Sequence, residues 1–171
     1  MTSSTSTARP GVTGDHTDAG VPHGSTSLTP FLAVRDAARA VEFYREVLDA
    51  RVIDVTEMGG VVVHAELDLG NGRLQVGEAH ESFGLVPQPE GDRTCFSLGL
   101  FCADADATVA RAVAAGAHVR EPLTDFVSGD RYASVRDPFG VRWTIMSRVE
   151  DLSPEESAAR VAAWAAQHGQ G

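Results

Sequence analysis

The chain has 171 residues, 43% of them hydrophobic, with 24 acids against 14 lysines and arginines and a formal net charge of −10. A chain this long buries about 70% of its unfolded surface, so one domain, or two very small units sharing a core, is expected. The acidic balance argues against a nucleic-acid partner, which needs a basic face, and no run nears the ~18 apolar residues of a membrane span.

Residues 1–26 are rich in Ser, Thr, Gly and Pro and have almost nothing apolar to bury, which predicts a disordered tail with His16 and His23 as exposed bystanders. This start lacks the basic end and apolar centre of a secretory signal, so a cytoplasmic location is expected. The folded domain is expected over 27–148, its first module spanning 28–79. SLTPFLAV reads as a strand. Ala37, Ala40, Val41, Tyr44, Val47 and Leu48 then recur at helical spacing, with Asp36 as N-cap. RVIDVTEM, VVVHAELDL and RLQVGEA follow as strands, split by hairpin signals at Gly59-Gly60 and Gly70-Asn71-Gly72.

After a linker over 80–93, the second module, 94–148, repeats this order. CFSLGLF is a strand, and DADATVARAVAAGA is a helix with Val109, Ala112 and Val113 inward and Gly116 at C′. HVREPL, RYASVRD and VRWTIMS are strands. A shift of 68 residues lays Leu32 on Leu100, Asp36 on Asp104, Val41 on Val109 and Gly72 on Gly140, which identifies an internal duplication. The halves are expected to pair into one curved sheet. Residues 149–171 form a C-terminal helix and tail: Ser153, Pro154 and Glu156 make a capping box, and Leu152, Val161, Trp164 and Ala165 give a face for docking on the domain or a partner subunit. Cys95 and Cys102 suit small buried hydrophobes better than a disulfide framework or zinc cluster.

AVEFYREVLDARV early and DADATVARAVAAGAHV with RYASVRDPFGVRW late, set in two βαβββ modules, resemble the vicinal oxygen chelate superfamily of glyoxalases, bleomycin-resistance proteins and extradiol dioxygenases. VVVHAELDLGNGRLQVGEA and RVEDLSPEE look most like its PhnB-like branch. The resemblance implies an α+β fold: two βαβββ modules forming a curved mixed sheet around a cavity, plus the C-terminal helix, commonly as a homodimer. In the enzymes four side chains, usually His, Glu or Gln, hold a divalent metal. Here those positions fall on Thr29, Ser97 and Thr144, and on either Val76 by the repeat offset or Gln75 by strand alternation. Neutral hydroxyls donate too weakly for a transition metal, so no metal and no cofactor is expected. Val141 replaces a His frequent in that branch, which removes one more candidate.

Alternation in VVVHAEL puts Val61, Val63, Ala65 and Leu67 on one face and Val62, His64 and Glu66 on the other. Imidazole titrates near neutral pH and a carboxylate can orient it, so His64 with Glu66 is a candidate metal-free general base; alternatively, His64 hydrogen-bonds a neighbouring strand or faces solvent. The same parity sends Phe31, Phe101, Arg142 and Met146 toward the cavity with Thr29, Gln75, Ser97 and Thr144, and Tyr132 is the repeat counterpart of His64. These residues are the candidate ligand-binding set, although Phe31 and Phe101 serve equally as space-filling. Arg142 either pairs with a ligand anion or balances Glu66 or Glu78, and Phe83 and Leu85 in the linker either cap a cavity mouth or belong to a plain covalent tie.

The expected function is metal-free binding of a small hydrophobic or aromatic molecule, for sequestration or resistance. The alternatives are a lyase, isomerase or cyclase using His64 and Glu66, or an atypical metal held by His64, Gln75 and Glu78. A third is an interaction module that dimerises through the Trp164 helix.

Overall fold

A computed structural model describes residues 9–169. Residues 1–8 of the expected tail lie outside the described residues. Residues 9–26 depart from the expectation of disorder: strands β1 (Thr17–Asp18) and β2 (Val21–Pro22) pair antiparallel across Ala19 and Gly20, which both take positive φ. Two positive φ values match the turn to the strands' twist, and glycine at the second position supplies one without strain.

The first module runs β3 (Phe31–Val34), α1 (Ala37–Val47), β4 (Arg51–Met58), β5 (Val61–Asp68) and β6 (Arg73–Glu78). The second runs β7 (Leu98–Phe101), α2 (Ala105–Ala114), β8 (His118–Asp125), β9 (Asp130–Arg136) and β10 (Arg142–Arg148). Helix α3 (Pro154–His168) closes the chain. Each module has one order, β3-β6-β5-β4 and β7-β10-β9-β8, with the first and last strands parallel and the rest antiparallel. The eight strands thus form two four-stranded mixed sheets rather than one continuous ladder. No described helix is long and apolar enough to cross a membrane.

Both helices start alike, because a helix leaves its first N–H groups unpaired. Asp36 accepts from the Arg39 amide and Asp104 from the Ala107 amide. The last strand of each module adds a second cap: Glu78 accepts from the Asp36 and Ala37 amides at 3.0 and 2.8 Å, and Ser147 Oγ from the Ala105 amide at 2.8 Å. On α1 the expected stripe is buried, together with Phe43. On α2, Ala105, Thr108, Val109 and Ala112 are buried, whereas Val113, expected inward, is 47% exposed.

One core joins the modules on their helix sides. At its centre Asp137, buried in the turn before β10, accepts from Tyr44 Oη at 2.7 Å, Trp143 Nε1 at 3.0 Å and the Phe139 and Val141 amides at 2.9 Å. Burial pushes its carboxyl above the ordinary value against the pull of these donors, and burial, then the Asp137 charge, raises the Tyr44 phenol well above its own. Arg111 adds a second tie, donating to the Val47 carbonyl and Asp49. Helix α3 keeps its capping box and rests Trp164 edge-on against Phe126 at 5.2 Å.

Candidate functional site

Each sheet turns one face to its helix and leaves the other open. In the first module Ala65, Leu67, Leu74 and Val76 are buried on the helix side, so His64, Glu66 and Gln75 fall on the open side. The alternation fails at the start of β5. Thr56 pairs with His64 but Glu57 with Val62, which leaves Val63 as a bulge. The extra residue reverses parity, so Val62 is buried and Val61 exposed, opposite to the expected arrangement. In the second module Leu100, Ala133, Val135, Trp143 and Ile145 are buried, and Phe101, Tyr132, Arg142, Thr144 and Met146 take the open side.

The ladders resolve which residue matches Thr144. Leu32 pairs with Val76 and Leu100 with Ile145, so the offset of 68 between the first strands becomes 69 between the last. Gln75, not Val76, is therefore the counterpart of Thr144, and Val76 is wholly buried. Thr29 Oγ1 lies 3.1 Å from Thr26 Oγ1, and Ser97 Oγ lies 3.4 Å from Thr144 Oγ1.

These four positions, where the fold family implies metal ligands, hold three hydroxyls and an amide. Such a neutral set does not suit a divalent transition metal. Among the described residues no three His, Cys, Asp or Glu side chains gather closely enough to hold a metal ion. Glu78, a member of the expected atypical constellation, spends both carboxylate oxygens on the start of α1.

His64 stacks on Phe31, with ring centroids 6.3 Å apart and planes inclined by 28°. Among the described residues it makes no hydrogen bond to Glu66, whose carboxylate instead stands 3.5 Å from Arg73 Nη1. His64 and Glu66 thus share a face, and among the described residues the imidazole's partner is the Phe31 ring rather than the carboxylate. Arg142 balances neither Glu66 nor Glu78: its Nη2 donates to the Asp92 carbonyl at 3.0 Å. Tyr132 meets Phe126 edge-on at 6.2 Å, which connects the second face to α3. Phe83 is 77% exposed and packs against His80, with ring centroids 5.3 Å apart.

The first face carries its ring on β3 over a glycine on β6. A Cβ on Gly77 would meet the Val63 carbonyl oxygen at 2.4 Å and the Phe31 ring at 2.7 Å. The second reverses the roles: Met146 on β10 lies over Gly99 on β7, its Cε 3.2 Å from where a Cβ would stand. Both open faces are accessible in the single chain, Phe101 to 60%. A cleft of about 590 Å³ opens along the seam between the modules, and of the candidate residues only Phe101 lines it. The seam network and this cleft escaped sequence reasoning, because Tyr44 and Asp137 are 93 residues apart with no local signal connecting them.

The family model for the Glyoxalase/Bleomycin resistance protein/Dioxygenase superfamily matches residues 20–145. An uncharacterised protein of Mycobacterium tuberculosis (strain ATCC 25618 / H37Rv) is 35% identical over 143 residues, which cover 78% of this chain and 81% of that protein. The crystal structure of TioX from Micromonospora sp. ML1 aligns with TM-score 0.58 at 30% identity, over 72% of this chain and 99% of TioX. The PhnB protein of Bacillus cereus aligns with TM-score 0.57 at 19% identity, over 71% and 99%, a likeness of fold alone.

Proposed function

This chain belongs to the glyoxalase, bleomycin resistance protein and dioxygenase superfamily, and from that premise we propose that it binds a small hydrophobic or aromatic molecule on the open sheet faces without a metal. The observation that carries the reading is the residue set at the inherited ligand positions. Thr29, Gln75, Ser97 and Thr144 lack imidazole and carboxylate, while the Phe31–His64 stack, Phe101, Tyr132 and Met146 beside them are aromatic or apolar. Such a surface draws affinity from apolar burial at roughly 25 cal/mol per Å², with the hydroxyls, Gln75 and Arg142 left to orient the ligand.

A homodimer would enclose this surface. Ile53, Val55, Met58 and Val61 on the β4–β5 hairpin are exposed apolar side chains, and a second copy seated over them would turn two open faces into a bowl. The role is sequestration in the cytoplasm, a binding duty that needs no turnover.

Native mass spectrometry with a thermal-shift screen of flat aromatic compounds tests the reading. A ligand at a hundred times its Kd adds about 2.7 kcal/mol to folding stability, and the melting temperature rises with it. Binding is expected at dimer mass, and Phe101→Ala is expected to weaken it. A monomer that no member of the panel stabilises would refute the proposal. His64→Ala separates binder from enzyme: a binder keeps its affinity within a modest factor, whereas general-base catalysis loses on the order of 10² to 10⁴ in rate.

A further inference from the structure

The seam cleft adjoins the open faces just described and shares Phe101 and Arg73 with them. Its volume of about 590 Å³ lies within the few hundred to a thousand Å³ of small-molecule pockets. Leu28, Pro30, Leu74, Leu98, Leu100 and Trp143 make its apolar walls, and Thr26, Asn71 and Arg73 bring polar atoms to it.

Arg73 gives the cleft its chemistry. Its guanidinium has five N–H donors, yet among the described residues the side chain makes a single hydrogen bond, from Nη2 to the Gly24 carbonyl. Nη1 is buried with no hydrogen-bond partner among the described residues. Glu66 at 3.5 Å and Asp68 at 3.8 Å balance the charge without satisfying that nitrogen. A buried donor left unpaired is costly, so an acceptor that reaches it gains more than one placed in water. The Gly24 carbonyl belongs to the strap of residues 24–30, which also walls the cleft through Thr26, Leu28 and Pro30.

We propose that the seam cleft is a second ligand site, for a neutral, ring-built apolar molecule carrying a carbonyl oxygen. The rings fill the space between Leu28 and Trp143. The oxygen accepts from the unpaired Nη1 of Arg73 as the strap shifts aside. A carboxylate is disfavoured, because Glu66 and Asp68 already supply two negative charges beside the one guanidinium.

The test uses Trp143 as reporter in the full-length chain with Trp164→Phe, since the sequence has two tryptophans. The probes share one frame: 9-fluorenone, fluorene and fluorene-9-carboxylate. Fluorenone should quench Trp143 saturably and bind about tenfold more tightly than fluorene, the worth of one hydrogen bond, with the carboxylate weaker than the ketone. Arg73→Met should erase the preference for the ketone while fluorene still binds. Leu28→Glu, at a side chain 82% exposed, keeps Arg73 and the fold and should weaken all three probes. Leu28 lines the cleft and belongs to neither open face, so loss of fluorenone binding in Leu28→Glu separates this site from those faces. Absence of saturable quenching, equal affinity for ketone and hydrocarbon, or a ketone preference that survives Arg73→Met overturns the proposal. If Arg73→Met does not fold, undiminished binding by Leu28→Glu does the same.

Discussion

On the first module's open face the bulky side chain stands on the opening strand and the glycine beneath it on the closing strand, Phe31 over Gly77; on the second module's the arrangement is exchanged, Met146 over Gly99. The helix sides show no such exchange. Leu32 and Leu100 are both buried, Val76 and Ile145 fill matching places, and Asp36 and Asp104 cap their helices alike. The two modules match where they pack and differ where they face outward. The first face carries His64, Glu66 and Arg73; the second carries Phe101, Tyr132, Arg142, Thr144 and Met146. The proposed binding surface lies on the divergent side, and the shared side holds the two faces in place.

The strongest way to break that division is to remove what both modules lean on. Asp137→Ala leaves the Tyr44 hydroxyl, the Trp143 indole N–H and two backbone amides without their acceptor. It should cost about 3–5 kcal/mol in chemical denaturation, far more than loss of any one open-face side chain. The two glycines sharpen the comparison between faces. Gly77→Ala forces a methyl against the Val63 carbonyl, which backbone cannot readily yield, and should cost about 1–3 kcal/mol. Gly99→Ala meets only the end of the flexible Met146 side chain and should stay within about 0.5 kcal/mol. Equal losses at the two sites would contradict the exchanged geometry.

The smallest effect concerns pH. Burial raises the folded pKa of Asp137 above its unfolded value, so the proton it holds favours the fold in acid, and that contribution is lost as pH rises through the folded value. The stability gap between the wild type and Asp137→Asn should therefore narrow as pH climbs from below about 3.9, the unfolded carboxyl value, toward neutrality. Denaturant midpoints for both proteins across that range check the sign, and a widening gap contradicts it.

Much of the architecture was legible because apolar spacing is a local signal. The caps at Asp36, Asp104 and Ser153 and the two-residue turn at Gly59-Gly60 stand where the sequence places them. The bulge at Val63 was hidden because three valines in a row carry no preference for either face, and the slip is set by the partner strand at Thr56 and Glu57. The repeat offset blurred Gln75 with Val76, since turn lengths differ between modules and only the ladder restores the match. The β1–β2 hairpin is held by two residues per strand, too few to register as periodicity. Of the site, the outward parity of Phe31, Gln75, Phe101 and Thr144 could be read from alternation. Arg73's ties to Gly24 and Glu66 depend on long-range packing that no local pattern encodes.

The most direct test of metal-independent binding is a titration of chelator-treated protein with Mn²⁺, Zn²⁺ and Ni²⁺, followed by calorimetry and melting temperature with and without an aromatic ligand. No stoichiometric metal uptake and an unchanged ligand affinity after chelation are expected. One equivalent of tightly bound metal, with ligand binding lost on its removal, would contradict it.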